Sequence, residues 1–204
     1  MIRILCVDDH PVLREGIAAL VGRQPDMELA AEGSNGREAI ELFRKHRPDV
    51  TLMDLQMPEM DGIDATAALC REFPGARIIV LTTYAGDVQI KRAMQAGARG
   101  YLLKGLLRKE LIETIRAVHV GQKRMSPEVA AEIAEHSCED SLTNREIDVL
   151  RLIGGGNANK AIAAQLSITE ETVKGHVKNV LAKLSANDRT HAVTIALKRG
   201  IIDL

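Results

Sequence analysis

Short apolar runs recur through the first 120 residues, and stretches of helical spacing fill the gaps between them. Ile2-Arg3-Ile4-Leu5-Cys6-Val7, Asp49-Val50-Thr51-Leu52-Met53, Ile78-Ile79-Val80-Leu81 and Gly100-Tyr101-Leu102-Leu103 are each too short for a buried helix and predict strands. The pattern places strands near 2–7, 27–32, 49–54, 77–82 and 99–102, and helices near 11–22, 36–46, 62–72, 86–96 and 107–119. Alternation in this order, joined by right-handed crossovers, predicts an α/β fold: a (βα)5 doubly wound, parallel five-stranded sheet with helices on both faces. Punctuation agrees, since Pro58 and Gly62 bracket one loop, Pro74-Gly75 breaks before the fourth strand, and Gly97 and Gly100 flank the fifth.

Gly121-Gln122-Lys123-Arg124 ends the alternation, and Ser126-Pro127 opens a helix to about Glu135, with proline suited to a first helical turn. His136-Ser137-Cys138-Glu139-Asp140 reads as linker. Only helical spacing follows. Thr143-Asn144-Arg145-Glu146 has the form of a capping box. Lys160–Leu166 supplies one helix, Ser167-Ile168 a turn, and Thr169 a cap for the next. There Val173, Val177, Val180, Leu181 and Leu184 form one apolar stripe, while Lys174 and Lys178, with Gly175 between them, occupy another face. The expected organisation is a domain at 1–120, a linker with a short helix at 121–140, and an all-α helix-turn-helix domain at 141–204.

Composition adds that the core is aliphatic, because aromatics are only 2% of 204 residues. No apolar stretch reaches a membrane span, and the first residues lack a signal-peptide pattern. Cys6, Cys70 and Cys138 are too few and too irregular for a disulfide frame or a zinc site, which points to a cytoplasmic setting. The net charge of −1 is uneven: residues 141–204 carry nine Lys and Arg against six Asp and Glu. That basic third hints at a polyanion partner.

Candidate chemistry lies at the strand ends, where open α/β sheets bind ligands. Asp8 and Asp9 end the first strand, Asp54 the third, Thr82 the fourth and Lys104 the fifth. Clustered carboxylates repel one another, and a hard dication such as Mg²⁺ relieves the repulsion and bridges to phosphoryl oxygens. Asp54 is the candidate nucleophile; Asp9 a direct metal ligand, Asp8 a direct or water-mediated one, and the backbone carbonyl of Gln56 a further oxygen. Lys104 offsets charge on the transferred group and Thr82 donates a hydrogen bond to it. Singly, each has a plainer reading: Asp8-Asp9 as an N-cap pair, Lys104 as a solvated lysine, Tyr101 as a half-buried strand aromatic. Four strand ends with compatible chemistry favour the site.

Cys6-Val7-Asp8-Asp9-His10, Met53-Asp54 through Asp61-Gly62, Leu81-Thr82-Thr83-Tyr84 and Gly100–Lys104 together resemble the flavodoxin-like receiver domain of two-component response regulators. The resemblance implies a histidine kinase as phosphoryl donor to Asp54, and a switch in which Thr82 moves and Tyr101 changes rotamer. Thr83 departs from the family's usual Ala or Ser, and Gly105 from its common proline.

Arg145-Glu146, Asn159–Ala163, Thr172–Val177 and Ala182-Lys183-Leu184 similarly resemble the LuxR-type helix-turn-helix domain. This implies base-edge contacts by Lys174 and Lys178, phosphate or sugar contacts by Thr172, His176, Asn179 and Lys183, and only backbone from Gly175. Arg189–Leu197 resembles the helix that pairs DNA-bound domains. Together the two describe a NarL/FixJ-type response regulator: a transcription regulator, not a metabolic enzyme, with slow self-dephosphorylation at most. The implied partners are a sensor histidine kinase, promoter DNA, RNA polymerase and a second copy. Relief of occlusion of the DNA-reading helix is one implied mechanism. Two rivals remain: a DNA binder with a degenerate receiver, and a phosphoaspartate hydrolase of the haloacid dehalogenase type, although Asp54-Leu55-Gln56 lacks that type's second acid.

Overall fold

The computed structural model describes residues 1–83, 86–135 and 142–202. Tyr84 and the 136–140 tract, Cys138 included, lie outside the described residues. The chain divides into two compact units, one drawn from Met1–Ala85 and Ile90–Ala131, the other from Glu132–Leu204 with Gly86–Gln89.

In the first unit the strands are β1 (Ile2–Val7), β2 (Met27–Gly33), β3 (Val50–Asp54), β4 (Ile78–Thr82), β5 (Gly100–Leu103) and β6 (Arg124–Met125). They interleave with helices α1 (Pro11–Gly22), α2 (Gly36–His46), α3 (Gly62–Glu72), α4 (Asp87–Gln95) and α5 (Leu107–His119). All pairings are parallel, in the order β2-β1-β3-β4-β5-β6. Alternate residues of a strand point to opposite faces. Accordingly Ile4, Cys6, Leu52, Ile79 and Leu81 pack with Ile17 and Val21 of α1 and Leu111, Ile115 and Val118 of α5. Leu5, Val7, Met53 and Ile78 pack with Ala39 and Phe43 of α2 and Ala65 and Leu69 of α3. Strands covered on both sides are continuously apolar, which is why their runs were visible in the sequence.

Local chemistry fixes the helix starts. Asn35 accepts the Glu38 amide at 2.9 Å and Asp61 the Asp64 amide at 2.7 Å. Each such cap is worth about 1 kcal/mol. The residue before α1 is His10, which makes no side-chain cap, so the N-cap reading of Asp8-Asp9 does not hold.

The sheet has one strand more than the pattern predicted. Gly121, at φ 88°, turns the chain back after α5, and the Arg124 amide donates to the Arg99 carbonyl at 2.9 Å. Arg124 and Met125 then pair with Gly100 and Tyr101. Two residues with no apolar run carry no periodic signal. Part of the stretch expected as linker is therefore sheet, followed by α6 (Pro127–Glu135), where the Ser126 hydroxyl accepts the Val129 amide at 3.3 Å.

The second unit holds α7 (Asn144–Gly154), α8 (Asn159–Leu166), α9 (Glu170–Lys183) and α10 (Arg189–Lys198). The expected capping box is present at α7: Thr143 Oγ1 accepts from the Glu146 amide at 3.3 Å, and Glu146 Oε2 from the Thr143 amide at 2.8 Å. Ser167, at φ 54°, makes the left-handed step between α8 and α9. Val173 of α9 packs with Val149, Ile153, Ile162 and Ala163. Val180 and Leu184 pack with Leu150, Ala192, Ala196 and Ile202.

Candidate functional site

Adjacent strands β1 and β3 have their outer neighbours on opposite sides, so the chain departs in opposite directions from the crevice between their carboxyl ends. Asp8, Asp9 and His10 enter that crevice from β1, Asp54 from β3, and Lys104 from the turn after β5. Asp8 is fully buried and Asp54 is 2% exposed. Lys104 Nζ lies 2.8 Å from Asp8 Oδ2 and 2.9 Å from Asp54 Oδ2. The contact supplies charge neutralisation to both carboxylates. Asp8 Oδ1 accepts the His10 amide at 2.9 Å, which fixes the carboxylate's orientation.

Burial pushes the Asp54 carboxyl above the usual range; the Lys104 ammonium opposes this, while Asp8 and Asp9 reinforce it. For Lys104, burial alone would lower the pKa, but Asp8 and Asp54 outweigh it and hold the ammonium up. Two negative side chains thus share one cation in a nearly closed pocket. Asp8 Oδ2, Asp9 Oδ1 and Asp54 Oδ2 are all buried in this pocket. Three carboxylates on one small volume, with a single ammonium between two of them, leave negative charge in excess and so fit a hard divalent cation.

The β3–α3 loop is held by close approach. The Gly62 amide donates to the Leu55 carbonyl at 2.9 Å, and the Leu55 amide to the Leu81 carbonyl at 3.3 Å. Gln56, in this loop, is exposed. Thr82 is 5% exposed at the end of β4, and Tyr101 is fully buried on β5. Burial drives the Tyr101 phenol up, and Thr82 is the neighbouring group that opposes it. A recess of about 400 Å³ adjoins the pocket, lined by His10, Val12, Leu13, Thr83 and Lys104.

The structure brings Asp8, Asp9, Asp54 and Lys104 together as the sequence predicted. It also adds a group that sequence reasoning passed over. His10 Nδ1 lies 2.7 Å from Asp9 Oδ1 and 3.2 Å from Asp8 Oδ1. Its adjacency to Asp8-Asp9 was the available signal.

On α9, Thr172, Lys174, Gly175, Lys178 and Asn179 are exposed and His176 is half-buried. Thr169 caps the helix, accepting the Thr172 amide at 3.1 Å. Space around Gly175 is open. Lys174 reaches Glu171 at 3.2 Å on the same helix, an exposed pair of little energetic weight. Lys183 differs from the others. Its Nζ donates to Glu146 Oε2 at 2.8 Å, tying the end of α9 to the capping box of α7. Burial raises the Glu146 pKa, but Lys183 and Thr143 overcome it and hold the carboxyl below its usual value. Lys183, expected to contact phosphate or sugar, is thus paired with Glu146 within this unit.

Comparisons with known proteins agree with both units. Residues 4–116 match the response regulator receiver domain, and residues 140–196 the bacterial regulatory proteins of the luxR family. The transcriptional regulatory protein LiaR of Bacillus subtilis (strain 168) is 42% identical, with 100% of both chains covered. The response regulator protein VraR of Staphylococcus aureus (strain NCTC 8325 / PS 47) is 37% identical over 98% of this chain and 99% of its own. Among solved structures, the response regulator ChrA of a heme-sensing two-component system superposes with a TM-score of 0.60 at 35% identity, covering 98% of each chain. RcsB of Salmonella enterica serovar Typhimurium, bound to a promoter, shares the fold at a TM-score of 0.76 and 24% identity, covering 98% of each chain. Carboxylates and a lysine at the ends of a parallel sheet, followed by a capped helix-turn-helix, are thus explained together: the chain belongs to the two-component response regulators that join a receiver domain to a luxR-type DNA-binding domain.

Proposed function

We propose that Asp54 accepts a phosphoryl group from a sensor histidine kinase, and that this modification controls sequence-specific binding of promoter DNA and hence transcription. The observation that carries the reading is the pair of buried carboxylates, Asp8 and Asp54, on the single ammonium of Lys104. An Asp54 oxygen attacks phosphorus, the bond to the donor's imidazole nitrogen breaks, and its electron pair leaves on that nitrogen. Lys104 neutralises charge on the incoming oxygens, and the Thr82 hydroxyl donates to one of them. Asp8, Asp9, Asp54 and the Gln56 carbonyl hold Mg²⁺, which when bound supplies further neutralisation of phosphoryl charge.

Thr82 and Tyr101 are the switch pair in this reading, since a buried phenol beside a hydroxyl that turns toward a phosphoryl group must repack. On the DNA side, Lys174 and Lys178 read bases, Gly175 offers backbone, and Thr172, His176 and Asn179 contact phosphate or sugar. A coupling of about 1.4–3 kcal/mol changes the competent population roughly ten- to 150-fold. Dimerisation through α10 on a two-part site, contact with RNA polymerase and a cytoplasmic setting complete the proposal. Among described residues no helix is long and apolar enough to cross a membrane.

The test is mass spectrometry after incubation with a small acyl phosphate and Mg²⁺, paired with DNA footprinting. Modification on Asp54, absent from Asp54→Asn, with tighter footprints after modification, is expected. Modification elsewhere sinks the reading; unchanged promoter control by Asp54→Ala restores the phosphorylation-independent rival; and multiple-turnover release of phosphate from generic esters restores the hydrolase.

A further inference from the structure

We propose that Arg14 is a positioning residue for metal-assisted phosphoryl transfer: its guanidinium fixes the peptide between Asp8 and Asp9, and so sets how tightly the acidic pocket holds Mg²⁺. This role extends the phosphoacceptor reading above and rests on it, through a side chain placed behind the turn that carries the acidic pair.

Arg14 stands where the pattern of α1 calls for an apolar residue. Ile17 and Val21 are the buried residues of that helix, and Arg14 precedes them on the same face, at spacing i, i+3, i+7. Side chains on a helix lean toward its N-terminus, so a long one at this place runs back toward the tip of β1. It arrives there: Arg14 Nη1 donates to the Asp8 carbonyl at 2.6 Å. The side chain is only 22% exposed, and Nε lies 3.9 Å from Glu32 Oε1 on β2. Packing on the sheet would be served as well by an apolar side chain of similar length, which avoids the cost of burying a charge. The charge therefore needs a reason, and the Asp8 carbonyl supplies one.

Asp8 directly follows β1, and its peptide groups are pinned on both sides. Its amide donates to the Gly33 carbonyl at 3.1 Å, its carbonyl accepts from Arg14, and its Oδ1 accepts the His10 amide at 2.9 Å. The peptide joining Asp8 to Asp9 is planar, so holding its oxygen fixes the direction in which Asp9 leaves. Arg14 also closes the turn from its far end, because its own amide donates to the His10 carbonyl at 3.2 Å. One residue thus grips the turn by side chain and backbone together. A hydrogen bond from a charged donor is about twice as strong as a neutral one, and groups that orient metal ligands from behind govern affinity by about 10–100-fold.

The experiment uses the full chain with Mg²⁺ as probe. Arg14→Met keeps an unbranched stem in the apolar stripe and removes the donor and its charge; Arg14→Lys keeps one charge on a flexible stem. Calorimetric titration is expected to show Mg²⁺ binding about tenfold weaker in Arg14→Met, with part of the loss recovered in Arg14→Lys. The Mg²⁺ concentration for half-maximal modification of Asp54 by a small acyl phosphate should rise by the same factor, while the rate at saturating Mg²⁺ stays close to that of the wild type. Thermal unfolding of metal-free Arg14→Met, expected to match or exceed the wild type, separates positioning from loss of the fold. If Arg14→Met binds Mg²⁺ as tightly as the wild type, or weakens only in step with a lowered melting temperature that Arg14→Lys does not restore, Arg14 is a structural tie and the assignment is wrong, while modification of Asp54 in the wild type leaves the phosphoacceptor reading standing. If the wild type binds no Mg²⁺, the metal-assisted reading fails along with the role given to Arg14.

Discussion

Gly62 lies so close to Asp54 that a Cβ at position 62 would stand 1.8 Å from the Asp54 carbonyl oxygen. The backbone of the β3–α3 loop is thus clamped onto the strand end that carries the candidate nucleophile. Gly62→Ala must push the two apart. We expect it to destabilise the first unit by about 3 kcal/mol, the upper end for overpacking, and to slow modification of Asp54 by a small phosphodonor. Urea unfolding and timed mass spectrometry measure the two effects; wild-type behaviour in both would mean the loop is not what positions Asp54.

Lys104 pairs with both Asp8 and Asp54, at 2.8 and 2.9 Å. Lys104→Ala leaves two nearly buried carboxylates sharing no counter-charge, a loss of about 3 kcal/mol for the metal-free protein. A bound dication compensates the same charge. Millimolar Mg²⁺ is therefore expected to raise the melting temperature of Lys104→Ala more than that of the wild type, and to raise neither in the added presence of Asp9→Asn. An equal shift in both proteins would contradict the charge argument.

Stability of the second unit should depend on pH through Glu146. Its folded pKa is depressed, so its contribution is complete above the ordinary glutamate value and disappears as pH falls through the folded value. The loss begins near pH ~4.3 and proceeds downward. Glu146→Gln should flatten this acid-side slope in a denaturant series. Lys183→Ala should cost about 1–2 kcal/mol in the same unit, because it strips the charged partner from a buried carboxylate. A uniform loss of DNA affinity with no loss of stability would instead return Lys183 to the phosphate-contacting set.

The exposed face of α9 offers a separable prediction. Lys174→Ala is expected to lose about 1–3 kcal/mol on the cognate site and to relax discrimination at one base pair. Gly175 has open space around it, so Gly175→Ala should stabilise the helix by up to about 1 kcal/mol. If position 175 faces DNA backbone closely, that same change weakens binding while the free protein gains stability. Binding-site selection on both variants reads the distinction.

Most of the architecture was legible because both layers of the sheet bury it, leaving apolar runs such as Val50–Met53 with polar ends. The capping box at Thr143 and Glu146 was legible for a different reason, being local within three residues. What escaped was long-range or unpatterned. Arg124 and Met125 join the sheet through backbone pairing that leaves no mark on side-chain chemistry. Lys183 finds Glu146 across 37 residues, which no helical wheel displays. His10 was in view beside two aspartates, but only coordinates reveal that its ring turns back onto them.

β3 sends Leu52 into one helical layer and Met53 into the other, immediately before Asp54. Sliding that strand would disrupt two close-packed interfaces simultaneously, and protein interiors yield little to such displacement. Chemistry at its tip therefore works against a rigid anvil. The response is left to side-chain rotation and to the surrounding loops, which is the mechanical condition for a small covalent event to be felt at a distance.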